Sequence, residues 1–225
     1  MEFFSGPYSL AGQIDFPDNL ASKHAGFLLV PGPSQHTRTG DARGFPGFNN
    51  YYTKFIRVLN ESNYAVLSYD KGGTGRSSSG LSSRADIVSA YRCLVGNEKI
   101  DQSKIGIIAF GGGAAHIYRK WDELNNITTF ERLILISTGL NDLKMEQMNL
   151  SVLSVVGEEL SLRTQNAMER YTIKTGQNAT SVEIKNANEN LCLDPDDKVT
   201  MIKENSCHIP DSVFEAISNW LNSLD

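Results

Sequence analysis

Short apolar runs, each cut off by glycine or proline, alternate along this chain with segments whose apolar residues recur every three to four positions. Phe27-Leu28-Leu29-Val30 stops at Pro31-Gly32. Ala65 to Tyr69 runs into Asp70-Lys71-Gly72-Gly73-Thr74-Gly75, and Lys104 to Phe110 runs into Gly111-Gly112-Gly113. Leu133 to Ile136, Val152 to Val156, Val182 to Ile184 and Val199 to Ile202 read as further strands. Between them, Tyr51 to Asn60 carries apolar residues at 51, 55, 58 and 59, and Ser83 to Leu94 carries them at 87, 88, 91 and 94. Ala114 to Trp121 and Leu162 to Thr172 also read as helices, and Val213 to Leu221 is a closing one. Strands that alternate with helices need crossover connections, which pair the strands in parallel and cover both faces of the sheet. The expected class is therefore α/β, a three-layer αβα sandwich. Ligands of such sheets sit beyond the carboxyl ends of the strands, so the loops after Val30, Tyr69, Phe110, Ile136, Val156 and Ile202 are where function is expected.

A length of 225 residues fits a single domain spanning 1–225. Lys and Arg number 21 against 26 Asp and Glu, a net charge of −5. That balance offers no basic surface for nucleic acid. No apolar run approaches a membrane span, and the first residues lack the basic and apolar regions of a signal peptide. The three cysteines, Cys93, Cys192 and Cys207, form no CxxC pair and no zinc pattern, so reduced thiols in a cytoplasmic protein are expected. The four histidines lack metal-ligand spacing, and no metal is expected.

The strand-end loops, in their order, resemble the α/β-hydrolase superfamily, nearest to its small lidless members. Leu28-Leu29-Val30-Pro31-Gly32-Pro33, with Arg38 and Gly40 after it, is similar to the loop after the family's third strand. Asp70 to Ser77 resembles the D-x-R-G-x-G-x-S turn, with Gly72 where arginine is usual. Lys104 to Ala115 resembles the nucleophile-elbow strand, turn and helix. Ser206-Cys207-His208, ahead of Ile217-Ser218-Asn219-Trp220-Leu221, resembles the catalytic-histidine loop and last helix. The resemblance covers about residues 8–222 and implies a mostly parallel sheet of roughly eight strands. The short joint between Ile136 and Val152 implies no cap domain.

The same alignment takes the family's chemistry apart. Acyl hydrolysis on this fold needs a nucleophile on the elbow, a histidine base, an acid to orient it and two N–H donors for the oxyanion. The nucleophile position is Gly111, which has nothing for a base to activate. Val155-Val156-Gly157-Glu158-Glu159-Leu160 puts Leu160 at the usual acid position, leaving Glu158, Glu159 and Asp142 as the acids nearest to hand. The first oxyanion donor falls on Pro33, which has no N–H. Gly112 keeps the second, at the start of a helix. His208 alone remains of the triad, with an ordinary pKa suited to moving protons near neutrality.

These residues point to a protein that has dropped covalent acyl chemistry. The leading expectation is a non-hydrolytic enzyme, performing a cyclase, isomerase or lyase-type step on a small organic carbonyl-containing metabolite. His208 is its catalytic group, and Gly32, Pro33, Phe110, Gly111, Gly112 and Arg38 bind the substrate. His36 and Asp41 lie in the same loop as Arg38 and share its two readings, a polar subsite or a solvated loop. Two alternatives stand beside it: an esterase or acyl hydrolase in which Gly111 replaces a native serine, and a ligand-binding pseudo-hydrolase without catalysis. The triple glycine is also read as close strand–helix packing; His116 at the third glycine position of G-x-G-x-x-G argues against a dinucleotide, and no cofactor is expected. The expected partner is a small molecule, with no nucleic acid and no membrane, and a homodimer is left open.

Overall fold

The computed structural model describes residues 1–32, 34–41, 50–78, 83–139, 150–188, 190–193 and 207–224. Its strands are β1 (Glu2–Ser5), β2 (Tyr8–Asp15), β3 (His24–Val30), β4 (Tyr64–Tyr69), β5 (Ile100–Phe110), β6 (Arg132–Ile136), β7 (Ser151–Gly157) and β8 (Ala179–Ile184). Its helices are α1 (Thr53–Glu61), α2 (Ser83–Val95), α3 (Gly113–Asn125), α4 (Glu158–Thr175) and α5 (Asp211–Asn222). The strands form one sheet in the order β1-β2-β4-β3-β5-β6-β7-β8. From β4 through β8 all pairing is parallel, while β2 pairs antiparallel with β1 and with β4, so the sheet is mixed. The strand expected over 199–202 lies outside the described residues.

The continuous apolar runs follow from burial on both faces. Leu28, Leu67, Ile107, Leu133 and Val152 turn to one side, where Ile87, Tyr91 and Leu94 of α2, Ile117 of α3 and Met168 and Tyr171 of α4 pack on them. Their alternate neighbours Phe27, Leu29, Val66, Ile108, Ile134 and Leu153 turn to the other side, under Phe55 and Leu59 of α1 and Val213, Ile217 and Trp220 of α5. Helices therefore lie on both faces, as the three-layer expectation required.

Two departures have local causes. Strand β5 starts at Ile100 rather than Lys104 because its register with β3 jumps, from His24 opposite Ile100 to Gly26 opposite Ile105. The extra residues are the polar, largely exposed Asp101-Gln102-Ser103-Lys104, which carry no apolar signal. Strands β1 and β2 form the antiparallel margin, where only alternate or central residues are buried, so no apolar run marks them.

Candidate active-site region

The carboxyl ends of β3 to β8 meet along one edge of the sheet, and the corner after β5 is its centre. Gly111 takes φ +48°, the left-handed region. Its N–H donates to the Ile136 carbonyl of β6 at 2.8 Å, and α3 begins two residues later, after Gly112. An L side chain in that conformation costs about 1–2 kcal/mol, whereas glycine adopts it freely. Gly113 is required for a different reason. A Cβ there would lie 2.5 Å from the Pro31 carbonyl oxygen and 3.1 Å from that of Val30, so α3 rests directly on the backbone leaving β3. Close packing thus accounts for the third glycine, and the left-handed corner accounts for the first.

Phe110, expected beside a ligand, is 5% exposed. Its ring packs against Tyr52 at 4.5 Å, Phe55 at 4.9 Å and Tyr51 at 5.8 Å, forming the floor under the corner.

The loop after β3 is held from several sides. Gly32 donates its N–H to the Tyr52 hydroxyl at 3.2 Å. The Lys71 ammonium donates to the Gly32 carbonyl at 2.8 Å and to the Ser34 carbonyl at 2.9 Å. Lys71 is 7% exposed, and burial pushes its pKa down while the nearby Asp86 carboxylate opposes that shift. Asp86 is itself fully buried; burial pushes its carboxyl up, against the Gly72 N–H and the Lys71 charge. His36 packs over Gly32, with 3.5 Å between its Nε2 and a Cβ placed there, and its ring lies 5.5 Å from that of Tyr52. Burial, with the Lys71 charge, lowers His36 to about 4, so it is neutral at pH 7. Pro33 lies outside the described residues.

Arg38 is held by Asp70. Its guanidinium pairs with Asp70 at 3.2 Å and its backbone N–H donates to the other Asp70 oxygen at 2.8 Å. The Arg76 N–H completes the set on Asp70 at 2.9 Å, and a Cβ at Gly75 (φ +51°) would lie 2.3 Å from that carboxylate. Asp41 accepts from Thr39 and from the Asn50 N–H, which hold its carboxyl below the usual range against desolvation. The Asp70 to Ser77 turn and the loop 37–41 are therefore braced together, with Asp70 shared by the Arg38 guanidinium and two backbone N–H groups.

The opposite side is more open. Strand β7 runs through Gly157 directly into α4, so Glu158 stands exposed on the first helical turn, and Leu160 follows on the same helix. Asp142 and the Glu159 side chain lie outside the described residues. His208 is exposed, and among the described residues its imidazole has no hydrogen-bond partner. The backbone around it is fixed instead: its carbonyl accepts the Leu193 N–H at 3.0 Å.

One expectation is overturned here. Cys192 and Cys207 are joined in a disulfide, with Cα atoms 5.0 Å apart across a sequence separation of 15, and only Cys93 is a free thiol. Spacing alone could not reveal the pair, because it joins two segments 15 residues apart in sequence. Sequence reasoning also missed Lys71, which sits in the glycine-rich turn after β4. A lysine two residues after an apolar strand and directly before a double glycine was the available signal.

No helix among the described residues is long and apolar enough to cross a membrane. No family model and no curated protein matches the sequence. Solved structures do match in fold. Est1E from Butyrivibrio proteoclasticus, solved with bound ferulic acid, superposes with a TM-score of 0.70 at 14% identity, over 99% of this chain and 98% of that one. A dienelactone hydrolase-like promiscuous phosphotriesterase from metagenomic libraries gives 0.68 at 17% identity, over 99% and 96%. An α/β serine hydrolase without lid from Xanthomonas campestris gives 0.59 at 14% identity, over 84% of each chain.

Proposed function

We propose that this chain, which has the α/β-hydrolase fold, binds a small carbonyl-containing organic molecule at the Gly111–Gly112 corner and promotes a non-hydrolytic step without an acyl-enzyme. The observation that carries the reading is the corner itself: the left-handed turn at Gly111 and its anchor on Ile136 are kept, with no side chain to attack. The Gly112 N–H at the start of α3 holds the carbonyl oxygen, where the helix terminus favours developing negative charge. Gly32 is a poor second donor, because its N–H is engaged by Tyr52. His208 carries the proton, and fixed placement of a reactive substrate supplies much of the rate. A cyclisation, isomerisation or elimination meets these conditions; ester hydrolysis through a covalent intermediate does not.

A second reading, ligand binding without catalysis, is favoured by the exposed imidazole with no orienting acid among the described residues. The Cys192–Cys207 bond also supports an oxidising compartment rather than the cytoplasm.

The test combines a covalent probe with a non-covalent one. A fluorophosphonate should leave the protein unlabelled, and ferulate should shift the amides of residues 111–114. Stoichiometric labelling of any serine, or rapid turnover of p-nitrophenyl esters, would defeat the proposal. If lactone or enol substrates are converted, His208→Ala separates the two readings: loss of turnover with retained ferulate binding marks catalysis.

A further inference from the structure

We propose that the Cys192–Cys207 disulfide is a thiol–disulfide exchange site whose oxidised form clamps the His208 backbone to a platform formed by residues 187, 188 and 190–193. The platform is fixed independently of the disulfide. Ala187 and Leu193 form an antiparallel bridge, and the Asn188 N–H donates to the Cys192 carbonyl at 3.1 Å. The Asn188 carboxamide oxygen accepts the N–H groups of Asn190 at 2.9 Å and Cys192 at 3.1 Å. From across the edge, the Tyr51 hydroxyl donates to the Asn190 carbonyl at 2.9 Å. Leu191 is fully buried, and the platform lies so close to the end of β7 that a Cβ at Gly157 would fall 2.4 Å from the carbonyl oxygens of Ala187 and Asn188.

His208 is attached to this platform differently. Among the described residues, two links join the platform to residues 207 and 208: the disulfide and the hydrogen bond from the Leu193 N–H to the His208 carbonyl. On its other side His208 continues into buried Ile209 and the start of α5. Opening the disulfide removes the covalent link and leaves, among the described residues, one hydrogen bond between the platform and His208.

The co-reactant is a dithiol. Its thiolate attacks the Cys207 sulfur, since Cys207 is half-buried whereas Cys192 is 3% exposed. The Cys192–Cys207 bond breaks, a mixed disulfide forms at Cys207, and Cys192 leaves as a thiolate that takes up a proton. The second thiol of the reductant then attacks the mixed disulfide, releasing Cys207 as a thiol and closing the reductant's own disulfide. Two electrons pass to the protein, and no other oxidant or reductant is needed.

The effect of the clamp on chemistry rests on the reading of His208 given above; the clamp itself does not. Maleimide counting on unfolded protein isolated without reductant should find one thiol, and three after dithiothreitol. Amide exchange followed by NMR should then show the Leu193 N–H losing protection about tenfold or more on reduction, with β5 and β6 unchanged. The double variant Cys192→Ala/Cys207→Ala should match the reduced protein and ignore dithiothreitol. Three thiols before reduction, unchanged Leu193 protection, or loss of protection throughout β5 and β6 would each overturn the proposal. Absence of ferulate binding in both redox states would instead remove the functional reading and leave the clamp intact.

Discussion

The two flanks of the Gly111 corner are built in opposite ways. On the β3–β4 flank, Asp70 and Lys71 are buried against the loop after β3, while Arg76 stays exposed. Asp70 gathers Arg38 and two backbone N–H groups, and Lys71 gathers the carbonyls of Gly32 and Ser34. On the β7–β8 flank, Glu158 and His208 are exposed, and among the described residues the backbone is secured by a disulfide and a turn. On the reading proposed above, the first flank shapes the binding edge and the second carries its proton chemistry, and fold likeness speaks only to shape.

The contrast is broken most severely at Lys71. Lys71→Met removes the ammonium from the Gly32 and Ser34 carbonyls. Each carbonyl loses a hydrogen bond from a charged donor, so a loss of about 3–5 kcal/mol is expected from urea unfolding. A loss below about 1 kcal/mol would mean that the loop after β3 is held chiefly by other contacts. Next comes His36. Its folded pKa of about 4 lies below the unfolded value near 6.5, so the unfolded chain binds the proton first as pH falls. Stability from this group is complete above the unfolded value and declines as pH falls from about 6.5 toward 4, by roughly 3 kcal/mol in all. Denaturant titrations at pH 7.5 and 4.5 should show that loss in the parent and a flatter dependence in His36→Asn. Equal slopes would place the buried, neutral imidazole in doubt.

How much of this was legible depended on whether a contact leaves a periodic trace. Strands β3 to β7 announced themselves because both faces are buried, so Leu28, Leu67 and Ile107 alternate with Phe27, Val66 and Ile108 in unbroken apolar runs. The left-handed corner was visible because a strand ran straight into three glycines. Other features left no trace. For Arg38 and His36 a polar subsite and a solvated loop were both open; the anchoring of Arg38 on Asp70 and of His36 over Gly32 is a long-range choice that no local pattern encodes. The Cys192–Cys207 pairing depends on a 5.0 Å approach between segments 15 residues apart, and cysteine connectivity cannot be read from spacing.

Smaller effects sharpen the comparison at the corner itself. Gly111→Ser places a side chain at φ +48°, and a cost of about 1 kcal/mol is expected from thermal unfolding. If the two flanks differ as described, restoring the hydroxyl restores no esterase, because His208 is exposed and no acid among the described residues orients it. Hydrolysis of p-nitrophenyl acetate should stay within about tenfold of the parent. Brisk turnover by Gly111→Ser would show that the β7–β8 flank still holds a competent base, and the contrast would fail.

The smallest effect belongs to His208, and it is the most discriminating. An exposed side chain without a hydrogen-bond partner among the described residues should contribute little to folding, so His208→Ala should change stability by no more than about 0.5 kcal/mol. A larger loss would reveal that the imidazole is packed or bonded in solution, making it part of the same structural frame as His36. A negligible loss leaves His208 free of any structural duty. Its substitution can then be read in turnover and ligand binding alone, which makes it the proper probe of whether the open flank retains chemistry.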